Sequence, residues 1–283
     1  VDAGNGSGGA VQRVASGTYD MGFADLAAVM EFHANNPTAP NKPVAVMMVY
    51  NNTPAAVLAL KKSGIKTPAD LNGKKLGAPV FDAGRKAWPI FAKANGIGNV
   101  AWTAMDPPLR ETMLVRGDID AITGFSFTSL LNLEARGVKT EDVVVLPYPA
   151  HGVKLYGNAI IVGEAFLKKN PEAVKAFLRG FTKGVKDVIA DPKAGVALVK
   201  ARDGIINADL ELRRLKLALD ASVLTPDARA EGFGAVSGPR LSLMASQVAD
   251  AFATKERINP DAVWNGTFLP PATERNIFAT AKK

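Results

Sequence analysis

The sequence predicts an α/β fold, and two observations predict it. Apolar runs of strand length recur through the first 150 residues, each followed by a stretch with helical spacing, and alternation of this kind implies βαβ units. Beyond Pro171 the character changes, and "PEAVKAFLRGFTKGVKDVIA", "PKAGVALVKA", "ADLELRRLKLALDAS" and "GPRLSLMASQVADAFATKE" are all helical by period, with Pro or Asp near their starts.

Taken in order, residues 1–3 read as the tail of a strand, so further sequence, including any signal peptide, is expected upstream. The stretch "GNGSGG" (4–9) matches GxGxxG, and Asp25 follows at the distance of a ribose-binding acid. The helix "GGAVQRVASG" is too short for a dinucleotide unit, because Gly17 ends it after about nine residues. Two readings of this loop remain open: helix-start amides with Ser7 as cap, forming a site for an anion or polar oxygen, or a tight turn that needs glycine.

Next, "TYDMGFADLAAV" (18–29) reads as a strand opening into a helix, and "KPVAVMMVYNNT" (42–53) as a strand buried on both faces of a parallel sheet. Strand signatures recur at 74–81, 121–127 and 142–149, with helices at 85–95, 109–117 and 128–136 between them. In the second of three strand-to-helix loops, Asp82-Ala83-Gly84 leads into a helix expected to start between Gly84 and Lys86, with Pro89 in or near its first turn. That places Arg85 at a helix start, where its fork meets an anionic ligand or pairs with Asp82. The third loop, "TGFSFTS" (123–129), offers Gly124, two phenylalanines and hydroxyls, and core packing is expected to claim at least one of the rings. Such loops lie at the carboxyl ends of strands, where open α/β sheets bind ligands.

Bulk properties exclude several classes. With 283 residues, 47% hydrophobic and 22% charged, the chain reads as globular, and no apolar run nears the roughly 18 residues of a membrane span. The absence of cysteine from these residues excludes disulfides, thiolate metal sites, iron–sulfur clusters and a cysteine nucleophile. The net charge of +7 leaves open a solvated basic surface or an anionic partner. Nucleic acid is not expected as that partner, because lysines and arginines interleave with acids, as in "KKNPEAVKAFLRGFTKGVKDV". His33 and His151 lie in no catalytic or metal motif, His33 reading as a helix C-terminal cap. Asp118 and Asp120 alternate along a strand entry and so face opposite sides, and no nucleophile, zinc or phosphate-loop motif occurs.

Several longer stretches carry a resemblance: "GNGSGGAVQRVASGTYDMGFAD", "YNNTPAAVLALKKSGIKTPADLNGKKLG", "FDAGRKAWPIFAKANGI", "MLVRGDIDAITGF" and "LYGNAIIVGEAFLKKNPEAVKAFLRGFTKG". Nearly end to end the chain resembles the periplasmic solute-binding proteins of ABC importers that include the nitrate, sulfonate and taurine binders, in particular the branch named after the yeast thiamine-pyrimidine synthase. The resemblance implies a type II periplasmic binding fold, two α/β lobes with a hinge and a ligand cleft between them. Lobe one would be residues 1–73 plus 154–283, without the family's first strand and helix, and lobe two 74–153. It also implies a non-enzymatic, monomeric receptor, periplasmic or anchored outside the membrane, that delivers a small heteroaromatic or anionic ligand to an ABC permease, with no cofactor or metal. Ligand contacts carried over by motif position are Ser7, Gly8, Gly9, Phe23 to Asp25, Asn51, Asp82, Ala83, Gly84, Arg85, Gly124, Phe125, Ser126 and Tyr156. Trp88 is a further stacking candidate, with burial under its helix the favoured reading. The alternative is a thiamine-pyrimidine synthase-like enzyme, but catalytic members carry a cysteine-rich iron motif that has no counterpart in these residues.

Overall fold

Residues Val1–Asn52, Tyr156–Ser246 and Lys255 onward form one unit; Thr53–Leu155 and Gln247–Thr254 form a second. The structure is a computed structural model and describes residues 1, 2, 4 and 6–279. Val1 and Asp2 lie outside any strand, contrary to the strand tail expected there, and Ala3 lies outside the described residues.

The first pass through unit 1 gives α1 (Ser7–Ala15), β1 (Met21–Asp25), α2 (Leu26–Asn35) and β2 (Pro43–Met48). Gly6 precedes α1 with φ 112°, a conformation that favours glycine, so part of the glycine-rich stretch is explained by backbone geometry. Unit 2 then contributes β3 (Ala55–Leu60), β4 (Lys75–Gly77), α3 (Ala83–Lys86), α4 (Trp88–Ala94), β5 (Ala101–Thr103), α5 (Arg110–Arg116), β6 (Ala121–Phe125), α6 (Ser126–Glu134) and β7 (Val143–Pro147). The expected helix over 85–95 is two pieces: Asp82 caps α3, and a second start at Ala87 puts Pro89 in the first turn of α4, where its missing N–H costs nothing. On return to unit 1 the chain forms β8 (Asn158–Gly163), α7 (Glu164–Lys169), α8 (Pro171–Ala190), α9 (Pro192–Arg202), α10 (Ala208–Ala218), α11 (Pro226–Glu231), α12 (Gly238–Ala251), whose residues from Gln247 on belong to unit 2, and α13 (Pro260–Val263).

The sheet of unit 1 runs β1-β8-β2 with both pairings antiparallel, so β2 does not sit in the parallel sheet expected of it. Its apolar continuity comes from burial on both faces beside a strand contributed from more than one hundred residues later. Ile160 and Val162 of β8 pack with Val46 and Met47 against Leu167, Val174 and Leu178. On the opposite face Gly22 leaves room for α1: a Cβ there would lie 3.1 Å from Val14 Cγ2 and 3.3 Å from Ile161 Cγ1. α8 begins at Pro171 and buries Val174, Leu178 and Thr182, four residues apart, while lysines and Arg179 cover its other side.

The sheet of unit 2 is mixed, in the order β5-β4-β6-β3-β7: β4 pairs parallel with β5 and β6, and β3 antiparallel with β6 and β7. This corrects the expected boundary at residue 74. β3 pairs with both β6 and β7 and carries six buried residues, so the segment from Thr53 belongs to the second unit. Ala56, Leu58, Leu60, Leu114, Ile119, Ile122 and Leu133 form its core.

Leu58 is fully buried at the centre of that cluster. Leu58→Ala is expected to lower unfolding stability by about 2–5 kcal/mol in urea denaturation, and a loss under about 1 kcal/mol would contradict the packing of β3.

Candidate functional site

Unit 1 gathers its predicted residues where β1 ends and α2 begins. Asp25 is both the last residue of β1 and the N-cap of α2, its Oδ1 accepting from the Ala27 amide at 2.9 Å. The Asp25 amide donates to Ser7 Oγ at 3.0 Å. Ser7 is therefore the first residue of α1, tied to the strand end, and not the cap of that helix as expected; Gly6 occupies the cap position. Gly8 and Gly9 follow in the first turn of α1. Burial pushes the Asp25 carboxyl up to about 6, only partly offset by the Ala27 amide.

Phe23, two residues earlier, is 43% exposed, and Tyr50 meets its ring edge-on with centroids 5.3 Å apart. Across the strand pair Asp25 stands opposite Asn158, whose side-chain oxygen is buried without a hydrogen-bond partner.

The other two predicted residues of this unit are engaged in a separate network. Arg240 donates to the Asn51 carbonyl at 2.7 Å and to Asn52 Oδ1 at 2.8 Å, and its guanidinium lies 4.0 Å from the centre of the Tyr156 ring. Glu231 Oε2 accepts from the Tyr156 hydroxyl at 2.8 Å and from Asn51 Nδ2 at 2.9 Å, and Glu231 Oε1 stands 3.5 Å from Arg240. Tyr156 also accepts from the Ser237 amide at 2.7 Å.

Unit 2 brings its two strand-end loops together through Asp82. Its Oδ1 accepts from the Arg85 amide at 2.8 Å and from Thr123 Oγ1 at 2.7 Å, and its Oδ2 lies 3.3 Å from Arg110. The Arg85 side chain donates to the Ala78 carbonyl at 2.8 Å and lies over the Trp102 ring, not paired with Asp82. Gly84 presents its carbonyl to the Tyr148 hydroxyl at 2.8 Å, beside Ala83 in the first turn of α3. At Gly124 the need for glycine is steric, since a Cβ would lie 2.5 Å from Ser129 Oγ and 3.0 Å from Arg110 Cζ. Phe125 is half-buried, Phe127 is in the core, and the Ser126 amide donates to Pro54.

Other candidates resolve as structural. His33 is buried, with Nε2 donating to the Pro43 carbonyl at 2.8 Å, so it ties α2 to β2 instead of capping the helix; burial holds its ring below the usual imidazole range. Trp88 is buried against Phe91 and Trp102. Asp118 pairs with Arg116, whereas Asp120 accepts from the Lys75 amide. Among the described residues no group of three or more His, Cys, Asp or Glu is arranged to hold a metal ion.

Sequence reasoning missed Tyr50, Arg110, Asn158, Glu231 and Arg240. Only Asn158 carried a signal, as the lone polar residue heading the apolar strand "NAIIV". The others meet partners far away in sequence, 28 residues for Arg110 with Asp82 and 189 for Arg240 with Asn51.

The family profile described as NMT1/THI5 like matches residues 1–195. The riboflavin-binding protein RibY of Chloroflexus aurantiacus is 26% identical over 178 residues, 62% of this chain and 49% of that protein. The 4-amino-5-hydroxymethyl-2-methylpyrimidine phosphate synthase of Aspergillus parasiticus is 29% identical over 196 residues, 64% of this chain and 54% of the enzyme. The chain thus spans about half the length of the curated relatives it matches. In fold it is similar to the periplasmic aliphatic sulphonate binding protein SsuA of Escherichia coli, with a TM-score of 0.73, 16% identity, and coverage of 94% of this chain and 82% of that one.

Two predictions follow from the buried acids. Asp25 ionises near 3.8 when unfolded and near 6 when folded, so the folded state keeps a proton that the unfolded chain releases. Its contribution is favourable below the lower value and is lost as pH rises through the higher one, about 3 kcal/mol in all. Asp25→Asn keeps the cap, and is expected to raise Tm at pH 7.5 and leave it unchanged at pH 3.5; equal Tm changes at both would refute the assignment. Arg110 is the buried partner of Glu111, whose side chain is almost wholly enclosed. Arg110→Met is expected to cost about 3–5 kcal/mol in chemical denaturation, and most of it should return in the double variant with Glu111→Leu.

Proposed function

Because the chain belongs to the NMT1/THI5-like family, we propose that it is an extracytoplasmic solute-binding receptor, which captures a small heteroaromatic or anionic organic ligand and hands it unchanged to a membrane ABC permease. The observation that carries this reading is the strand end of unit 1. There an exposed aromatic ring, braced by Tyr50, stands two residues from a buried carboxyl, which suits recognition of a flat molecule with a polar edge. The groups around it, Ser7, Asp25 and Asn158, are hydrogen-bonding groups set at secondary-structure ends, and the two histidines serve packing or surface roles elsewhere.

Similarity in fold to periplasmic sulphonate binders and in sequence to a riboflavin-binding protein supports a receptor that works outside the cytoplasm, periplasmic or membrane-anchored; in this reading it acts as a monomer. The likeness to pyrimidine phosphate synthases favours a second reading, an enzyme of thiamine-pyrimidine assembly. The predicted site residues of unit 2, Asp82 to Arg85 and Gly124 to Ser126, belong to the proposal as loops held in place by Arg110 and Thr123.

Thermal shift with riboflavin, 4-amino-5-hydroxymethyl-2-methylpyrimidine and the sulfonate buffer MOPS tests the reading. At least one is expected to raise Tm saturably and to be recovered unchanged by mass spectrometry. Conversion of the compound, or no shift with any of the three, would overturn the receptor assignment.

A further inference from the structure

At the opposite end of the unit 1 sheet from Asp25 lies a cavity of about 620 Å³, bounded by the last turn of α2, the start of β2, α7, α13 and the turn that follows α13. Every residue lining it belongs to unit 1. Pro43, which opens β2, pairs with Gly163, the last residue of β8, whereas Asp25 pairs with Asn158, the first. The length of β8, about 17 Å, therefore separates this cavity from the strand end on which the receptor reading rests. Its volume lies within the range of small-molecule sites.

The floor is apolar: Val44, Leu167 and Phe268 belong to the core of the unit or pack against it. The polar members are of both signs. Lys168 is neutralised by Glu164 at 2.8 Å, whereas among the described residues Lys42 and Asp261 have no ion pair. His33 is 9% exposed and borders the cavity. A carbonyl oxygen only accepts, so the bond to Pro43 fixes the ring proton on Nε2 and leaves Nδ1 as an acceptor. Burial, opposed by that bond and by Glu164 and reinforced by Lys42, disfavours a second proton on the ring. Among the described residues nothing donates to Nδ1, and an acceptor left unpaired in so enclosed a ring is costly. An anion brought here would meet Lys42 but also the Nδ1 lone pair and Asp261. A cation would suit those two and be repelled by Lys42. A molecule that carries both charges answers all three.

We propose that unit 1 holds a second binding site, for a zwitterion with an apolar body, the class of the hydrophobic amino acids: the ammonium donates to His33 Nδ1 and faces Asp261, the carboxylate meets Lys42, and the side chain lies on Val44, Leu167 and Phe268. Lys42 and Asp261 then select the zwitterion over an acid or an amine of the same shape, because either of those leaves one charge of the site facing the wrong partner.

Isothermal titration of the full chain at pH 7.5 tests this with phenylalanine, with 3-phenylpropionate, which lacks the ammonium, and with phenethylamine, which lacks the carboxylate. Phenylalanine is expected to bind at least about tenfold more tightly than either analogue. Lys42 is half-buried and Asp261 exposed, so Lys42→Met and Asp261→Asn leave the fold intact, and each should weaken phenylalanine at least about tenfold. Asp25→Asn, at the other end of the sheet, should leave phenylalanine binding unchanged. In nitrogen NMR of the two imidazole rings, the Nδ1 signal of His33 should move when phenylalanine is added and that of His151 should not. No binding of phenylalanine, equal or tighter binding of an analogue, weakening by Asp25→Asn, or a His33 signal indifferent to phenylalanine would each overturn the inference.

Discussion

In unit 1 the strand Asn158–Gly163 has β1 on one edge and β2 on the other, and all six of its residues are buried. A strand so enclosed must satisfy its backbone within the sheet and present apolar side chains on both faces. That requirement sets the rest of the unit. Ile160 and Val162 receive α8 on one side, while Ile161 meets α1 through the space left at Gly22 on the other. Its first residue is also where the requirement relaxes, because at the strand end the pairing with Asp25 places two polar side chains at the margin of the core.

Unit 2 solves its equivalent problem differently. Where β6 ends, charge is gathered and neutralised: Arg110 spans Glu111 and Asp82, and Asp82 in turn receives Thr123 and caps α3. Nearly every acceptor in that cluster has a donor, which makes its loops stiff, and the exception is the buried hydroxyl of Ser129. In unit 1 the corresponding strand end keeps its carboxyl without a cationic partner. The first arrangement holds geometry, and the second keeps a buried carboxyl that no cation neutralises.

Which parts of this were readable in the sequence follows from the range of the interactions involved. The strands at β1, β2, β6 and β7 and all the long C-terminal helices announce themselves through local period and punctuation. β3 and β8 escaped, because "AAVLAL" and "NAIIVG" are uniformly apolar, and a short run buried on every side shows neither period. Their omission misplaced the unit boundary and suggested a more parallel sheet than exists. At the site, Asp25 and Phe23 were legible because strand-to-helix loops place ligand groups at strand ends. The true occupations of Ser7, Arg85, Asn51 and Tyr156 were not, since each is decided by a neighbour that sequence distance conceals, such as Arg240 for Asn51, 189 residues away.

The network of Asn51, Tyr156, Glu231 and Arg240 bears on how this chain can change over generations. Each member serves at least two others, so a single replacement strands a partner, and replacements must come together or not at all. Phe23 is bound by no such obligations, since it is 43% exposed and meets Tyr50 edge-on. Substitutions at the exposed ring would therefore accumulate one at a time, while the four-residue network stays locked by epistasis.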